Sequence, residues 1–257
     1  MAPSSIRRAH SRARRALSQN FLHDPAAVRT VIEAAAVKPD DLVYEVGAGR
    51  GRLTRALVPL CREVVAYEVD PAMSRSLRWG TVRNEDFLRA VPPREPFALV
   101  GNIPYALTSA VVDWALRAPA LTAATLLTQL EYARKRTGDY GRWSRLTVLT
   151  WPAYEWSLAG RLPRTAFRPV PRVDSGILRL VRREIPLVQP AALPGYRRFV
   201  ELGFTGVGGS LSATLTGRYG SRRVSAAFRA ARLHPDVPVG HVWPEQWLTL
   251  FRLIDRR

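Results

Sequence analysis

Residues 42–51, LVYEVGAGRG, restrict the fold more than any other part of the chain. An apolar run, Leu42-Val43-Tyr44, leads to Glu45 and then to glycines at alternate positions, Gly47, Gly49 and Gly51. Leu53, Leu57 and Leu60 follow at helical spacing. The pattern predicts a strand, a tight turn and a helix. Glycine tolerates the positive backbone torsions of such a turn and lets a ligand lie against bare backbone. It therefore predicts an α/β sheet with a nucleotide-type site beyond the first strand.

The spacing argues against a dinucleotide. A pyrophosphate fingerprint reads G-x-G-x-x-G, whereas this one reads Glu45-x-Gly47-x-Gly49-x-Gly51. An acid beside a phosphate is repelled, while an acid beside a cation is favoured. The positive sulfonium and ammonium of S-adenosylmethionine suit Glu45 better. The bland alternative is a tight βα turn with no ligand.

Three further strand ends extend this site. Val64 to Tyr67 ends at Glu68, twenty-one residues after Gly47 and placed to accept ribose hydroxyls. Thr81 to Arg83 ends in Asn84-Glu85-Asp86-Phe87, and Phe97 to Val100 in Gly101-Asn102-Ile103-Pro104-Tyr105. Ligands of open α/β sheets bind beyond the carboxyl ends of the strands, so the four ends form one site. In the last of them Pro104 stiffens the backbone, Asn102 offers an amide acceptor and Tyr105 a flat face. That combination suits the amino group of an adenine taken out of its stack.

Charge supplies the partner. Lys+Arg total 39 against 21 Asp+Glu, giving a formal charge of +18. Only Lys38 and Lys135 are lysines. Arginine forks onto phosphate and stacks on bases, so a nucleic acid is the expected partner. A codon bias explains arginine in place of lysine but not the excess over acids. Arg7, Arg8, Arg12, Arg14 and Arg15 mark residues 1–17 as a flexible basic arm. Arg134, Arg136, Arg142, Arg222 and Arg223 are further RNA-binding candidates.

Asp24-Pro25 starts a helix, and strands five to seven are expected at 122–130, 146–158 and 175–181. Phe167, in a proline-stiffened loop, is a candidate second wall of a base pocket. Pro186, Pro190 and Pro194 mark a linker to a small helical RNA-binding domain, 186–257, after a main domain spanning 18–185. One cysteine, Cys61, excludes a disulfide framework. The four histidines are scattered, so no metal is expected. No apolar run reaches eighteen residues, so no membrane span is expected. A cytoplasmic monomer is the default.

SQNFL (18–22), EVGAGRG (45–51), YEVD (67–70), NEDFL (84–88), NIPY (102–105) and FRPVPRVDS (167–175) together resemble the rRNA adenine dimethyltransferase superfamily over about residues 15–185. Ser18, the isoleucine of NIPY and the stretch ELGFTGVGGSLSATL look more like its erythromycin-resistance branch, which acts on 23S rRNA, than its small-subunit assembly branch. The resemblance implies a Rossmann-like class I methyltransferase: a seven-stranded, mostly parallel sheet with helices on both faces and a small C-terminal helical domain. It implies S-adenosylmethionine as methyl donor and 23S rRNA as partner, protein-free or in assembling large subunits. Gln19 and Asn20 would help hold the donor, with Glu45, Gly47, Gly49 and Gly51 as its cradle. Glu68 would bind ribose and Asp86 the cofactor adenine, while Asn102, which also borders the cofactor, and the Ile103 carbonyl would accept the target amine. Tyr105 and Phe167 would stack on the target base. Small-subunit rRNA methylation and a non-catalytic RNA-binding relative remain as alternatives.

Overall fold

In the computed structural model, which describes residues 20–255, β1 (Phe21–Leu22) precedes α1 (Pro25–Ala35). The expected cap is there: the Asp24 carboxylate accepts from Ala26 N at 2.8 Å and Pro25 opens the helix. Then come β2 (Leu42–Val46), α2 (Arg52–Leu57), β3 (Glu63–Tyr67), α3 (Pro71–Ser76), β4 (Thr81–Arg83), β5 (Phe97–Asn102), α4 (Thr108–Arg117) and β6 (Leu121–Gln129). A second Asp-Pro pair starts α3, where Asp70 caps Ala72 N and Met73 N.

Seven strands form one sheet in the order β4-β3-β2-β5-β6-β9-β7, with β7 spanning Tyr154–Leu162 and β9 Ser175–Arg182. Strands β2 to β6 pair in parallel, and β9 runs antiparallel to β6. A two-residue β8 (Phe167–Arg168) pairs antiparallel with β1, setting Leu22 opposite Phe167.

The strands alternate between two apolar faces. On one, Val43, Val64, Ala98 and Val100 pack with Val31 and Ala35 of α1 and Leu53 and Leu57 of α2. On the other, Tyr44, Tyr67 and Phe97 form an aromatic chain that reaches Phe87 and Trp114 of α4. The Trp114 indole N–H, which burial would otherwise strand, donates to the Ala90 carbonyl at 3.0 Å. Helices thus cover both faces, and the polar strand ends emerge at one edge.

The chain divides into two compact units. Among the described residues, one takes the chain up to Ala133 together with Leu158–Val181; the other takes Arg134–Ser157 and Arg182 onward. This corrects the expected boundary, because residues 134–157 belong with the C-terminal helices. The expected sixth strand at 146–158 is also corrected. Helix α5 (Leu130–Thr137) is followed by α6 (Arg145–Thr150), and the strand starts only at Tyr154. Leu146-x-Val148 fits a short helix as well as a strand, and the Ser144 hydroxyl decides it by capping Thr147 N. Helices α7 (Leu193–Gly203), α8 (Leu211–Tyr219), α9 (Ser221–Ala230) and α10 (Pro244–Ile254) complete the second unit. Its core is aromatic: Phe199 meets Trp247 and Phe251, and the Tyr196 hydroxyl donates to the Val148 carbonyl at 2.9 Å.

Candidate active site

The glycine turn leaves β2 with Gly47, Gly49 and Gly51 at φ of 69°, 55° and 71°. These are left-handed torsions that side chains disfavour. Gly47 N and Ala48 N both donate to the Tyr67 carbonyl at 3.0 Å, tying the turn to the end of β3. Glu68 completes the tie. Its Oε2 accepts from Gly49 N at 2.7 Å and its Oε1 from Asp70 N at 2.8 Å. Burial pushes the Glu68 carboxyl upward, and the N–H groups of Asp70 and Gly49 pull it back. Asn84 Nδ2 holds the Glu68 carbonyl at 2.8 Å, and Asp86 accepts from Leu88 N at 3.0 Å.

On the other side, Asn102 ends β5. Its Nδ2 donates to the Asn20 carbonyl at 2.8 Å. A carbonyl can only accept, so the amide orientation is fixed chemically and Oδ1 is the free face. The Tyr105 hydroxyl and the Ser175 Oγ lie 2.8 Å apart. Burial raises the Tyr105 phenol above its ordinary value despite the Ser175 bond, so it stays neutral.

These groups meet around one cavity of about 90 Å³, open to solvent and bordered by Asn20, Gly47, Gly49, Glu68, Asp86, Asn102, Ile103 and Tyr105. Phe21, Val69, Phe87 and Leu88 add apolar wall. Although the chain carries a formal +18, the acids Glu68, Glu85 and Asp86 border the cavity, and among the described residues no arginine or lysine does. The site is a negative hollow in a positive protein. Strand order divides it: β2 separates β3 from β5, placing the Glu68 and Asn102 ends roughly 10 Å apart at two strand spacings.

Three predicted site residues do not face this cavity. Glu45 is buried under the turn, on the sheet face that carries Val43 and α2. Desolvation pushes its carboxyl up to about 7, the hydroxyl and N–H of Thr54 opposing. Gly51 caps α2; a Cβ there would stand 2.7 Å from Leu77 Cδ2, so its glycine serves packing. Phe167 is only 1% exposed and belongs to the core with Leu22 and Ile177, since an apolar ring gains more from burial than from an open loop.

Gln19 and the arginines Arg7, Arg8, Arg12, Arg14 and Arg15, with the whole expected arm, lie outside the described residues. Arg134, Arg136, Arg142, Arg222 and Arg223 all fall in the second unit. Several have protein partners: Arg134 pairs with Asp139 and lies 4.0 Å over the Tyr140 ring, Arg136 donates to Ser144 Oγ, and Arg142 donates to His241 Nε2. Arg223 reaches the Leu253 carbonyl at 3.4 Å, and Arg222 is exposed at the start of α9.

Sequence reasoning missed two residues. Phe21 lies against the glycine turn, and a Cβ on Gly49 would come within 3.2 Å of its ring. Its place beside Asn20 was the available signal. Ser175 ends the FRPVPRVDS stretch, but only the pairing of β6 with β9 brings it to Tyr105.

A family model described as ribosomal RNA adenine dimethylase matches residues 10–256. An rRNA adenine N-6-methyltransferase from Streptomyces fradiae is 58% identical over 95% of this chain and 79% of its own length. Another, from Saccharopolyspora erythraea, is 51% identical over 96% of this chain and 66% of its own length, so the chain spans about two thirds of that relative. The crystal structure of the 23S rRNA methyltransferase ErmE superposes with a TM-score of 0.90 at 52% identity, covering 92% of this chain and 100% of that one.

Proposed function

The chain belongs to the ribosomal RNA adenine dimethylase family, and from that premise we propose that it transfers a methyl group from S-adenosylmethionine to the exocyclic amine of an adenine in 23S rRNA. Such a modification gives resistance to macrolide-type antibiotics. The single observation that carries the chemistry is the shared cavity: the glycine turn and Glu68 border one side, and Asn102 to Tyr105 border the other. The 23S target rests on the likeness to the resistance-branch structure.

The hollow fits the methyl donor. The acids Glu68, Glu85 and Asp86 on its border favour a ligand that carries sulfonium and ammonium charges. Gly47 and Gly49 offer bare backbone, Glu68 a carboxylate for ribose hydroxyls, and Phe87 and Leu88 an apolar wall near Asp86 for a purine. When bound there, S-adenosylmethionine supplies a methyl group made electrophilic by its sulfonium sulfur.

The rest falls to the chain's own side chains. An adenine amine is a weak nucleophile because its lone pair is delocalised into the ring. Asn102 Oδ1 and the Ile103 carbonyl accept its two N–H groups and turn the lone pair toward the methyl. Tyr105 holds the base plane by stacking. Positioning of aligned reactants is worth roughly 7–11 kcal/mol, enough to carry the rate. Glu45 is buried beneath the glycine turn and is not the base; the excess proton leaves to solvent after transfer. Extruding the base costs a few kcal/mol, offset by stacking of about 1–3 kcal/mol.

The test is transfer of labelled methyl to two substrates in parallel: protein-free 23S rRNA and small subunits lacking their own adenine methylation. Label in 23S rRNA, mapped to one adenine, is the expected result. Label only in the small subunit moves the protein to ribosome assembly. Label in neither, with RNA bound, leaves an RNA-binding relative.

A further inference from the structure

Outside the cavity, on the first unit, lies an open groove of about 760 Å³ that has no part in the chemistry above. It is bordered by Arg29 of α1, by Arg50, Arg52 and Arg55 around the start of α2, and by Trp79. No acid borders it. All four arginines are exposed, and among the described residues none is paired with a carboxylate. Two are already oriented by rings: the Arg55 guanidinium stands 5.6 Å from the Trp79 ring centroid and that of Arg50 5.2 Å from Phe21.

Like charges so close together repel, and a solvated face normally relieves this by interleaving acids. Here the surface leaves four forks facing one concavity. A guanidinium matches a phosphate in two-pronged geometry, and one held over a ring loses little freedom on binding. Trp79, half-buried and at the groove wall, adds a flat surface of the kind that bases stack on. The polarity is opposite to that of the active-site hollow, so one polyanion and one cationic cofactor are sorted onto different sides of the glycine turn.

We propose that this groove binds the sugar–phosphate backbone of the substrate rRNA outside the target nucleotide. The inference rests on the reading of the protein as an rRNA methyltransferase, and it identifies a binding surface additional to the arginines of the second unit. The groove positions RNA and takes no part in methyl transfer.

The experiment compares the full chain with a quadruple Arg29→Gln, Arg50→Gln, Arg52→Gln, Arg55→Gln variant. A charge-matched control replaces four exposed arginines of the same unit outside the groove, Arg75, Arg78, Arg94 and Arg117, by Gln. Affinity for a 23S rRNA transcript is measured over a salt series, S-adenosylmethionine affinity by calorimetry, and folding by thermal melting. Each lost phosphate contact flattens the log-affinity against log-salt slope by about 0.7–0.9. The groove variant should flatten it by about 3, the control by less than 1, with cofactor affinity and melting unchanged. An unchanged slope, or equal flattening in the control, overturns the proposal. So does a parallel loss of cofactor binding, which would assign the arginines to that site. For the melting arm, single variants serve: four folded single variants with unchanged slopes also overturn it. Methylation by the parent chain is scored separately. RNA binding with groove-dependent slope but no methyl transfer would sink the enzymatic reading and leave the groove standing.

Discussion

The Tyr105 phenol and the Ser175 hydroxyl share a hydrogen bond of 2.8 Å, and Ser175 is wholly buried at the first residue of β9. The ring proposed to stack on the target base is therefore pinned at its far end by a strand that runs antiparallel to the rest of its neighbourhood. Removing the phenol oxygen leaves a buried hydroxyl without its partner, at about 1–3 kcal/mol.

Tyr105→Phe should therefore lower the melting temperature while keeping most of kcat, and Tyr105→Ala should lose about tenfold to a hundredfold in kcat/KM with the stacking face. Ser175→Ala on top of Tyr105→Phe should recover stability, because both partners are then gone. Equal loss of activity in the Phe and Ala variants would remove stacking from the role of Tyr105.

Glu68 accepts N–H groups with both oxygens, from Gly49 and Asp70. Glu68→Gln points an NH2 at one of those donors and removes the negative charge. Bonds to charged groups are worth about 1.5–3 kcal/mol, so S-adenosylmethionine affinity measured by calorimetry should fall roughly tenfold to a hundredfold. Affinity for RNA should stay put. A variant that binds the cofactor normally would place the ribose contact elsewhere.

Gly49 and Gly51 separate affinity from stability. Gly51→Ala forces φ of 71° on a side chain and drives its Cβ to 2.7 Å from Leu77 Cδ2, so urea unfolding should show a loss of about 1–3 kcal/mol. Gly49→Ala pushes on the Phe21 ring at the cavity edge and should weaken cofactor binding as well. Identical profiles for the two variants would refute this division of labour.

The parts of this fold that were legible in the sequence are those where local chemistry and tertiary position agree. Asp24-Pro25 caps a helix whatever surrounds it, and the polar residues after β2, β3, β4 and β5 come together because parallel strands share one end. Glu45 was harder to place, because an acid beside a glycine turn looks the same in sequence whether the pleat turns it to the ligand or buries it beneath the turn. Phe167 was hard to place for a related reason: its loop becomes the two-residue β8, and pairing with β1 leaves the ring buried. The groove arginines went unread because Arg29 and Arg55 are far apart in sequence and only the packing of α1 beside α2 joins them.

The burial of Glu45 has a sharp test. Its carboxyl is pushed from an ordinary 4.5 up to about 7 by burial. The folded state thus holds this proton more tightly than the unfolded state does. The resulting stabilisation is complete below about pH 4.5, is lost as pH rises to about 7, and changes no further above that. At 1.36 kcal/mol per pH unit the swing is about 3 kcal/mol. Glu45→Gln keeps the shape and removes the titration. The difference in unfolding free energy between parent and variant, followed by urea denaturation across pH, should therefore change over that window, with the variant gaining on the parent as pH rises. A carboxylate exposed to a cationic ligand in the cavity would give no such window without ligand, so a flat difference would return Glu45 to the cofactor site.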